Sequence, residues 1–280
     1  MDYKIRPATR EELNIAIEWA AKEGWNPGLY DGDSFYTTDP KGFLLGFLDG
    51  EPIASISSVA YDNSFGFLGF YIVKSEYRDK GYGIQIWNEA IKHLPTQNIS
   101  LDGVLAQQEN YKKSGFKLAY RNIRYEGVGI NDKVNDPNIL PISQVPFEQL
   151  LGYDKLVFPT DRAVFLKEWI KQPESLAVAY VENKKFLGYG MVRKCRTGFK
   201  VGPLFADNEN IADILFQRMR SFIGAGIQIF LDTPEVNKQA VALAEKYGMK
   251  PMFETARMYT KDEPKVQLQK IFGVTTFELG

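Results

Sequence analysis

A basic, glycine-containing turn, Arg78–Gly83 (Arg-Asp-Lys-Gly-Tyr-Gly), is the part of this sequence best suited to chemistry. It stands between a hydrophobic run, 65–73, and an amphipathic pattern, 84–94, which predict a strand and a helix. Glycines let a backbone approach a ligand closely, and the unpaired amides at the start of a helix attract anions. Arg78 and Lys80 add cationic donors. The turn therefore predicts a binding site for a pyrophosphate group.

The sequence excludes two other kinds of phosphate-binding loop. A P-loop requires the string G-x-x-x-x-G-K-[ST], which does not occur in the chain. A dinucleotide fingerprint requires G-x-G-x-x-G, and Ile86 stands where the third glycine would follow Gly81 and Gly83.

Composition narrows the class of protein further. The net charge of −1 over 280 residues argues against a nucleic-acid partner bound by bulk electrostatics. No apolar run approaches the ~20 residues of a membrane span, and the N-terminal segment lacks the apolar core of a signal peptide, so we expect a cytoplasmic protein with no membrane partner. A single cysteine, Cys195, and a single histidine, His93, predict a packed thiol, a helix-end cation and no metal site.

The chain reads as two unequal copies of one plan. In each copy a hairpin pattern is followed by a strand, a helix, a second strand, a short helix and a last strand. Several identical residues recur 133 positions apart: Lys113, Gly115, Lys117 and Arg124 match Lys246, Gly248, Lys250 and Arg257. Upstream, the dipeptide Leu101-Asp102 corresponds to Leu231-Asp232 at a spacing of 130 positions. A period of this length indicates a duplicated domain rather than a solenoid.

The two copies differ where chemistry is expected. The strand–helix junction of the second copy, Leu204–Asn210, has no glycine and no basic residue, and carries Asp207 and Glu209. Two carboxylates there repel a pyrophosphate. Tyr111 of the first copy also falls on Ala244 of the second. We therefore expect one active half and one half without a cofactor site.

Two motifs resemble those of the GNAT acyltransferase superfamily. Arg78-x-x-Gly81-x-Gly83 matches the acetyl-CoA pyrophosphate loop, and Tyr111–Phe116 (Tyr-Lys-Lys-Ser-Gly-Phe) resembles a string near the fourth helix. The layout resembles tandem GNAT proteins over essentially the whole chain. The resemblance implies an α/β (α+β) fold of two GNAT-like domains, each a mixed, mostly antiparallel sheet flanked by helices. The expected divisions are an acetyl-CoA-binding domain at 1–130, a linker at 131–146 and a degenerate domain at 147–280.

The resemblance also assigns roles to residues of the first half. The backbone at Ile72 and Val73 would pair with the pantetheine arm of acetyl-CoA, and an amide near Val73 would stabilise an oxyanion. Tyr111 would protonate the departing thiolate, with acyl transfer by direct attack in a ternary complex. The cofactor-binding set is therefore Ile72, Val73, Arg78, Asp79, Lys80, Gly81, Tyr82, Gly83 and Ile84.

The general base is missing from its usual place. Many GNAT enzymes carry a glutamate on the strand before the loop, but 64–72 contains no carboxylate. Glu76 and Asp102 are conceivable, although Asp232 matches Asp102 in the degenerate half and favours a structural role. The base stays unassigned, with a water chain as the default.

A long Gly-, Pro- and Asp-rich segment, 24–41, is predicted to be a loop at the substrate entrance. Its mixture of aromatic rings and carboxylates suits a cationic amine. The predicted substrate residues are Trp25, Asn26, Tyr30, Asp31 and Phe35.

These inferences predict an acetyl-CoA-dependent N-acetyltransferase acting on a small primary amine, as a monomer or homodimer. A CoA-binding sensor without catalysis and an acyltransferase for a protein amine remain open as alternatives.

Overall fold

The computed structural model describes residues 2–95 and 97–280. Within them the chain forms eight α-helices and thirteen strands. The helices are α1 Arg10–Lys22, α2 Asp31–Thr38, α3 Tyr82–His93, α4 Gln108–Lys113, α5 Phe147–Asp154, α6 Ala163–Trp169, α7 Glu209–Ile223 and α8 Lys238–Lys246. The strands are β1 Tyr3–Pro7, β2 Phe43–Leu48, β3 Glu51–Ala60, β4 Phe65–Val73, β5 Asn98–Val104, β6 Lys117–Val128, β7 Ile139–Pro141, β8 Ser175–Glu182, β9 Lys185–Lys194, β10 Phe199–Ala206, β11 Gln228–Pro234, β12 Lys250–Tyr259 and β13 Ile271–Gly273.

The two predicted hairpins are present. Between β2 and β3, Asp49 and Gly50 have φ angles of 49° and 88°, and between β8 and β9, Asn183 and Lys184 have φ angles of 50° and 64°. Two successive positive φ angles match the twist of a two-residue hairpin turn. Asp, Asn and Gly tolerate this backbone region, which explains why these positions signalled turns in the sequence.

Two segments differ from the sequence-based expectation. The predicted loop 24–41 contains α2, whose Phe35 is completely buried between helices. The predicted linker 131–146 contains β7, which pairs with β8, and the buried Ile142. Both short elements are stabilised by tertiary packing rather than by their own periodicity, which is too short to detect in the sequence.

A single sheet runs through both halves of the molecule. Its order is β1-β2-β3-β4-β5-β12-β6-β11-β10-β9-β8-β7, with β13 attached to β10. The pairs β4–β5 and β10–β11 are parallel, and all other pairs are antiparallel. The order is symmetric about the central β12–β6 pair. The strand directions confirm the mixed, mostly antiparallel arrangement that the resemblance implies, although the strands of both halves form one continuous sheet rather than one sheet per domain.

The two halves exchange their last strands. We expected the strand at 116–125 to close the sheet of the first half, but β6 pairs with β11 and β12, both from the second half. In return β12 pairs with β5 of the first half. Strand pairing between distant parts of a chain leaves no local pattern in the sequence, so the exchange could not be predicted.

Helices cover both faces of this sheet. Helix α3 packs on β2, β3 and β4, and α7 packs in the equivalent way on β8, β9 and β10. Helices α2 and α6 meet between the halves, where the rings of Phe35 and Trp169 stack at 5.9 Å. No helix in the described ranges is long and apolar enough to cross a membrane.

Candidate active site

A cleft of about 540 Å³ opens in the first half where β4 and β5 separate. The strands pair in parallel only as far as Leu68 and Leu101. Immediately beyond, two residues of β4, Phe70 and Tyr71, stand opposite one residue of β3, and Phe70 has a φ angle of 47°. Such a β-bulge bends the strand that carries it. The bulge thus turns β4 away from β5 and creates the opening.

The N-terminus of α3 lies at this cleft without a cap. Gly81 precedes the helix with a φ angle of 83° and, as a glycine, supplies no side-chain cap. A left-handed residue at this position favours glycine. The first turn also lacks an acidic side chain. The N–H groups of this first turn and the helix dipole form a site for an anion such as a phosphate.

Backbone groups of β4 also face the opening. The amide of Lys74 donates to Ile53 O on β3 at 2.9 Å. Because successive residues of a strand direct these groups to opposite sides, the N–H and C=O of Val73 point away from β3. Val73 O accepts from Arg78 Nε at 2.9 Å, and Arg78 Nη2 donates to Glu23 Oε1 at 2.6 Å. The Val73 amide is therefore directed toward the cleft.

Tyr111 stands on the opposite wall, on α4. Its ring stacks on Trp87 at 5.7 Å and lies against Gly103, where a Cβ would come within 2.2 Å of Cε2. The side chain is 8% exposed, and burial raises the pKa of its hydroxyl. The hydroxyl has no hydrogen-bond partner among the described residues. Tyr111 is therefore a protonated donor at neutral pH that faces the cleft.

The structure brings most of the predicted cofactor-binding residues together at the cleft. The lining includes Ile72, Val73, Arg78, Asp79, Gly81, Gly83 and Ile84, as well as Tyr111. Two members of the set direct their side chains elsewhere: Lys80 Nζ donates to Glu76 O at 2.8 Å, and the Tyr82 ring packs on Tyr3 at 4.9 Å.

The structure corrects the prediction of the substrate residues. Of the five, only Trp25 lines the cleft. The other four contact the second half: Asn26 bonds to Thr197, Tyr30 to Glu174, Asp31 to Arg193, and Phe35 stacks on Trp169. Asp31 and Phe35 are fully buried there. Rings and carboxylates suit a cationic small molecule and an interface with arginines equally well, so composition misled the prediction.

The equivalent opening of the second half is filled by the chain itself. Strands β10 and β11 pair from Phe199 to Val201 and then separate after a bulge at 202–203. Into this gap the chain inserts β13, which pairs with β10, and the amide of Val274 donates to Asp232 O on β11 at 2.8 Å. A peptide strand thus occupies the position that is open in the first half.

The N-terminus of α7 is closed as well. The Asn208 side chain accepts from the Ile211 amide at 3.0 Å, and Asp207 accepts from Lys270 Nζ at 2.6 Å. The first-turn amides of α7, which could otherwise attract an anion, are therefore already partly hydrogen-bonded. This arrangement agrees with the sequence-based contrast between the two junctions.

Part of the first-half cleft is formed by the second half, which the sequence analysis missed. Phe253 and Thr255 on β12 and Phe277 and Glu278 near the C-terminus line it. The nearest sequence signal was the repeat itself, since Gly69 and Gly202 are also 133 positions apart. A Cβ at Gly69 would meet Glu278 O, and a Cβ at Gly202 would meet Thr275 O, each at 2.2 Å. Both bulges therefore accommodate the segment 275–278.

The buried carboxylates of the repeat form exchanged ion pairs. Arg257 donates to Asp102 at 2.8 and 2.6 Å, and Arg124 donates to Asp232 at 2.7 Å through both Nε and Nη2. Burial raises the pKa of Asp102 despite Arg257. A carboxylate bound by both nitrogens of an arginine has a structural role, as the sequence comparison of Asp102 with Asp232 suggested. Arg162 binds Asp154 in the same bidentate way at 2.8 Å.

The remaining reactive side chains lie outside the cleft. Cys195 is fully buried, and burial raises the pKa of its thiol. His93 bonds to Asp39 at 2.8 Å, and this bond raises the pKa of the imidazole. Within 2–95 and 97–280, no three His, Cys, Asp or Glu residues are grouped to hold a metal ion.

This fold and cleft place the chain in a recognised class. Residues 9–116 match the model described as the acetyltransferase (GNAT) family, and residues 150–273 match the model of an acetyltransferase (GNAT) domain. The chain belongs to the GNAT acetyltransferase family and contains two GNAT domains in tandem, which confirms the resemblance seen in the sequence.

Individual relatives resemble the chain over nearly its whole length. Holothin acyltransferase from Pseudoalteromonas sp. (strain SANK 73390) is 32% identical, covering 98% of this chain and 94% of its own. A crystal structure of a proposed acetyltransferase from Pyrococcus horikoshii has a TM-score of 0.84 at 23% identity, over 99% of this chain and 96% of that chain. A tandem GNAT protein from the clavulanic acid biosynthesis pathway has a TM-score of 0.65 at 11% identity, over 94% and 100%. Family membership and the acyltransferase relative support acyl transfer as the class of reaction.

Proposed function

We propose that the first half catalyses transfer of an acetyl group from acetyl-CoA to a primary amine of a small molecule, by direct attack in a ternary complex. One observation carries this proposal. The same sheet opening occurs in both halves, but only that of the first half is left open beneath an uncapped helix. A site retained in one copy and filled in the other indicates a ligand for the open copy.

The residues at the opening fit acetyl-CoA. In this proposal the amides from Arg78 through Ile84 hold the pyrophosphate at the N-terminus of α3. The backbone of Ile72 and Val73 pairs with the pantetheine arm as an added strand would, in the position that β13 takes in the other half. Bound acetyl-CoA supplies an activated acyl group and a thiolate leaving group.

The side chains around the opening then serve the transfer. The Val73 amide, directed into the cleft, stabilises negative charge on the acyl oxygen. Tyr111 stays protonated because burial raises its pKa, and it donates a proton to the departing sulfur. Trp25 and the rings of Phe253 and Phe277 enclose the acceptor. An enclosed cleft of this size suits a small molecule better than a protein chain.

A thiol-release assay with acetyl-CoA tests the proposal. We expect turnover with at least one member of a panel of small primary amines, and holothin belongs in the panel because a relative is named for it. Product mass should rise by one acetyl group. Longer acyl-CoA donors in the same assay define the acyl preference.

The alternatives have different outcomes in the same experiment. Binding of CoA in calorimetry without turnover of any amine would support a CoA-binding sensor. Turnover only with peptide or protein amines would replace the small-molecule acceptor. Absence of both CoA binding and turnover would contradict the proposed site.

A further inference from the structure

Glu278 is a buried carboxylate in the wall of the active cleft. It is 3% exposed and belongs to the segment 275–278 that crosses from the second half to the first. Its backbone lies against Gly69, the last residue of β4 before the bulge residue Phe70. Glu278 therefore stands beside the point where the two strands separate, although it is 209 positions from Gly69 in sequence.

Glu278 differs from the other buried acids of the described chain by having no ion-pair partner. Asp31, Asp102, Asp154 and Asp232 each bind an arginine. No lysine, arginine or histidine in the described ranges comes within the 4.0 Å of an ion pair to Glu278. Burying a carboxylate without a partner is costly, and such groups cluster at functional sites.

One side of the Glu278 carboxylate is fixed by its neighbour. The Thr276 hydroxyl donates to Oε2, while the amide of Glu278 donates to Thr276 Oγ1 at 3.1 Å. The amide occupies a lone pair of the hydroxyl and so leaves its proton for the carboxylate. Oε1 has no hydrogen-bond partner among the described residues. This oxygen is available to a ligand in the cleft.

Charged groups around Glu278 come from several elements. Arg124, Arg193 and Lys200 interact with it electrostatically from β6, β9 and β10. Asp232 and Asp31 neutralise the two arginines, and burial lowers the pKa of Lys200. Both arginines are thus already paired, and Lys200 is the remaining basic group among the three that act on Glu278.

We propose that Glu278 is the general base of the acyl transfer, an inference that rests on the proposed function. Glu278 accepts a proton from the acceptor ammonium through Oε1 and passes it to solvent. The neutral nitrogen forms the bond to the acyl carbon, and the bond from that carbon to sulfur breaks with the electron pair on sulfur. Tyr111 gives sulfur a proton, and the proton released by the new amide nitrogen restores Tyr111 through water.

The variant Glu278→Gln tests this role because it keeps the shape of the side chain and removes the basic oxygen. General-base catalysis contributes about 10² to 10⁴ in rate, so we expect kcat/KM at pH 7 to fall by about 100-fold or more. The deficit should shrink as the pH approaches the amine pKa of ~10.4, since solvent then deprotonates the acceptor. CoA affinity and the unfolding temperature should stay close to those of the wild type.

Glu254→Gln is the matched control, because this half-exposed carboxylate lies on β12 outside the cleft lining. It should retain wild-type turnover. Unchanged turnover of Glu278→Gln at pH 7, or an equal deficit at every pH, would overturn the assignment. If Glu278→Gln fails to fold, Glu278→Asp is the second test, because it keeps the carboxylate on a shorter side chain, farther from the acceptor. Full activity of Glu278→Asp would also overturn the base assignment.

The wild-type reaction separates this inference from the proposed function. If the unmodified protein acetylates no amine, the proposed function fails and the base has no reaction to serve. If the unmodified protein acetylates an amine and Glu278→Gln does so equally well, only the base assignment fails.

Discussion

At the residue scale, the proposed acid and the proposed base come from different parts of the chain, α4 and the C-terminal segment. Burial against Trp87 and Gly103 raises the pKa of the Tyr111 hydroxyl, whereas the Glu278 carboxylate lies among basic groups without a direct ion pair. Two titratable groups in such different environments are typical of sites in which one group accepts a proton and the other donates one. In the proposed reaction, one residue takes a proton from the amine and the other gives one to sulfur.

Tyr111→Phe separates the acid role from packing. We expect kcat to fall by about 100-fold or more, because a proton donor is lost while the ring keeps its stack on Trp87. CoA affinity, measured by calorimetry, should be unchanged. Tyr36→Phe, a ring on α2 outside the cleft lining, is the control. Wild-type turnover of Tyr111→Phe would leave Tyr111 with a packing role only.

The sequence indicated Tyr111 but not Glu278, for a physical reason. Tyr111 lies in a local string, Tyr111–Phe116, and the resemblance of this string to a GNAT motif pointed to it without a structure. Glu278 lies far along the chain, and its position depends on the contact of its backbone with Gly69. From the sequence the base stayed unassigned, with Glu76 and Asp102 as conceivable groups and a water chain as the default. A side chain brought in by long-range packing carries no such local signal.

At the element scale, the N-termini of α3 and α7 show how one junction was kept and the other closed. Helix α3 begins after Gly81, which has no side chain to cap it, whereas Asn208 caps α7 with its own side chain. The sequence predicted this difference from the glycines of one junction and the carboxylates of the other. It could not predict that β13 fills the second opening, because a three-residue strand has no readable pattern.

Gly83→Glu tests the anion site at α3. A carboxylate at this position faces the proposed pyrophosphate, and we expect CoA affinity in calorimetry to fall by about 100-fold or more. A Cβ at Gly83 would come within 2.7 Å of the Tyr71 hydroxyl, so the ring must shift slightly. Gly152→Glu introduces the same side chain at an open position of α5 and should leave affinity unchanged. Equal CoA affinity in both variants would contradict the loop assignment.

At the scale of the whole molecule, strand exchange joins the two halves in a single sheet. Each half contributes its last strand to the other, and each exchanged strand carries an arginine that pairs with an aspartate of the half it enters. The repeat of Arg124 and Arg257 and of Asp102 and Asp232 was visible in the sequence. The sequence did not show which arginine pairs with which aspartate, because the repeat is equally compatible with pairing inside each half.

Asp232→Asn tests whether the halves unfold together. Removing one partner of a buried ion pair leaves Arg124 uncompensated and typically costs about 3–5 kcal/mol. Because β6 and β12 join the halves, we expect amide hydrogen exchange in urea to report the same loss of protection for β3 and for β9. Glu254→Gln, which removes the exposed pair with Arg121 across the same two strands, should cost ~0.5 kcal/mol or less. Loss of protection confined to the second half would mean that the halves unfold independently. The second half would then contribute residues to the cleft without contributing to the stability of the first half.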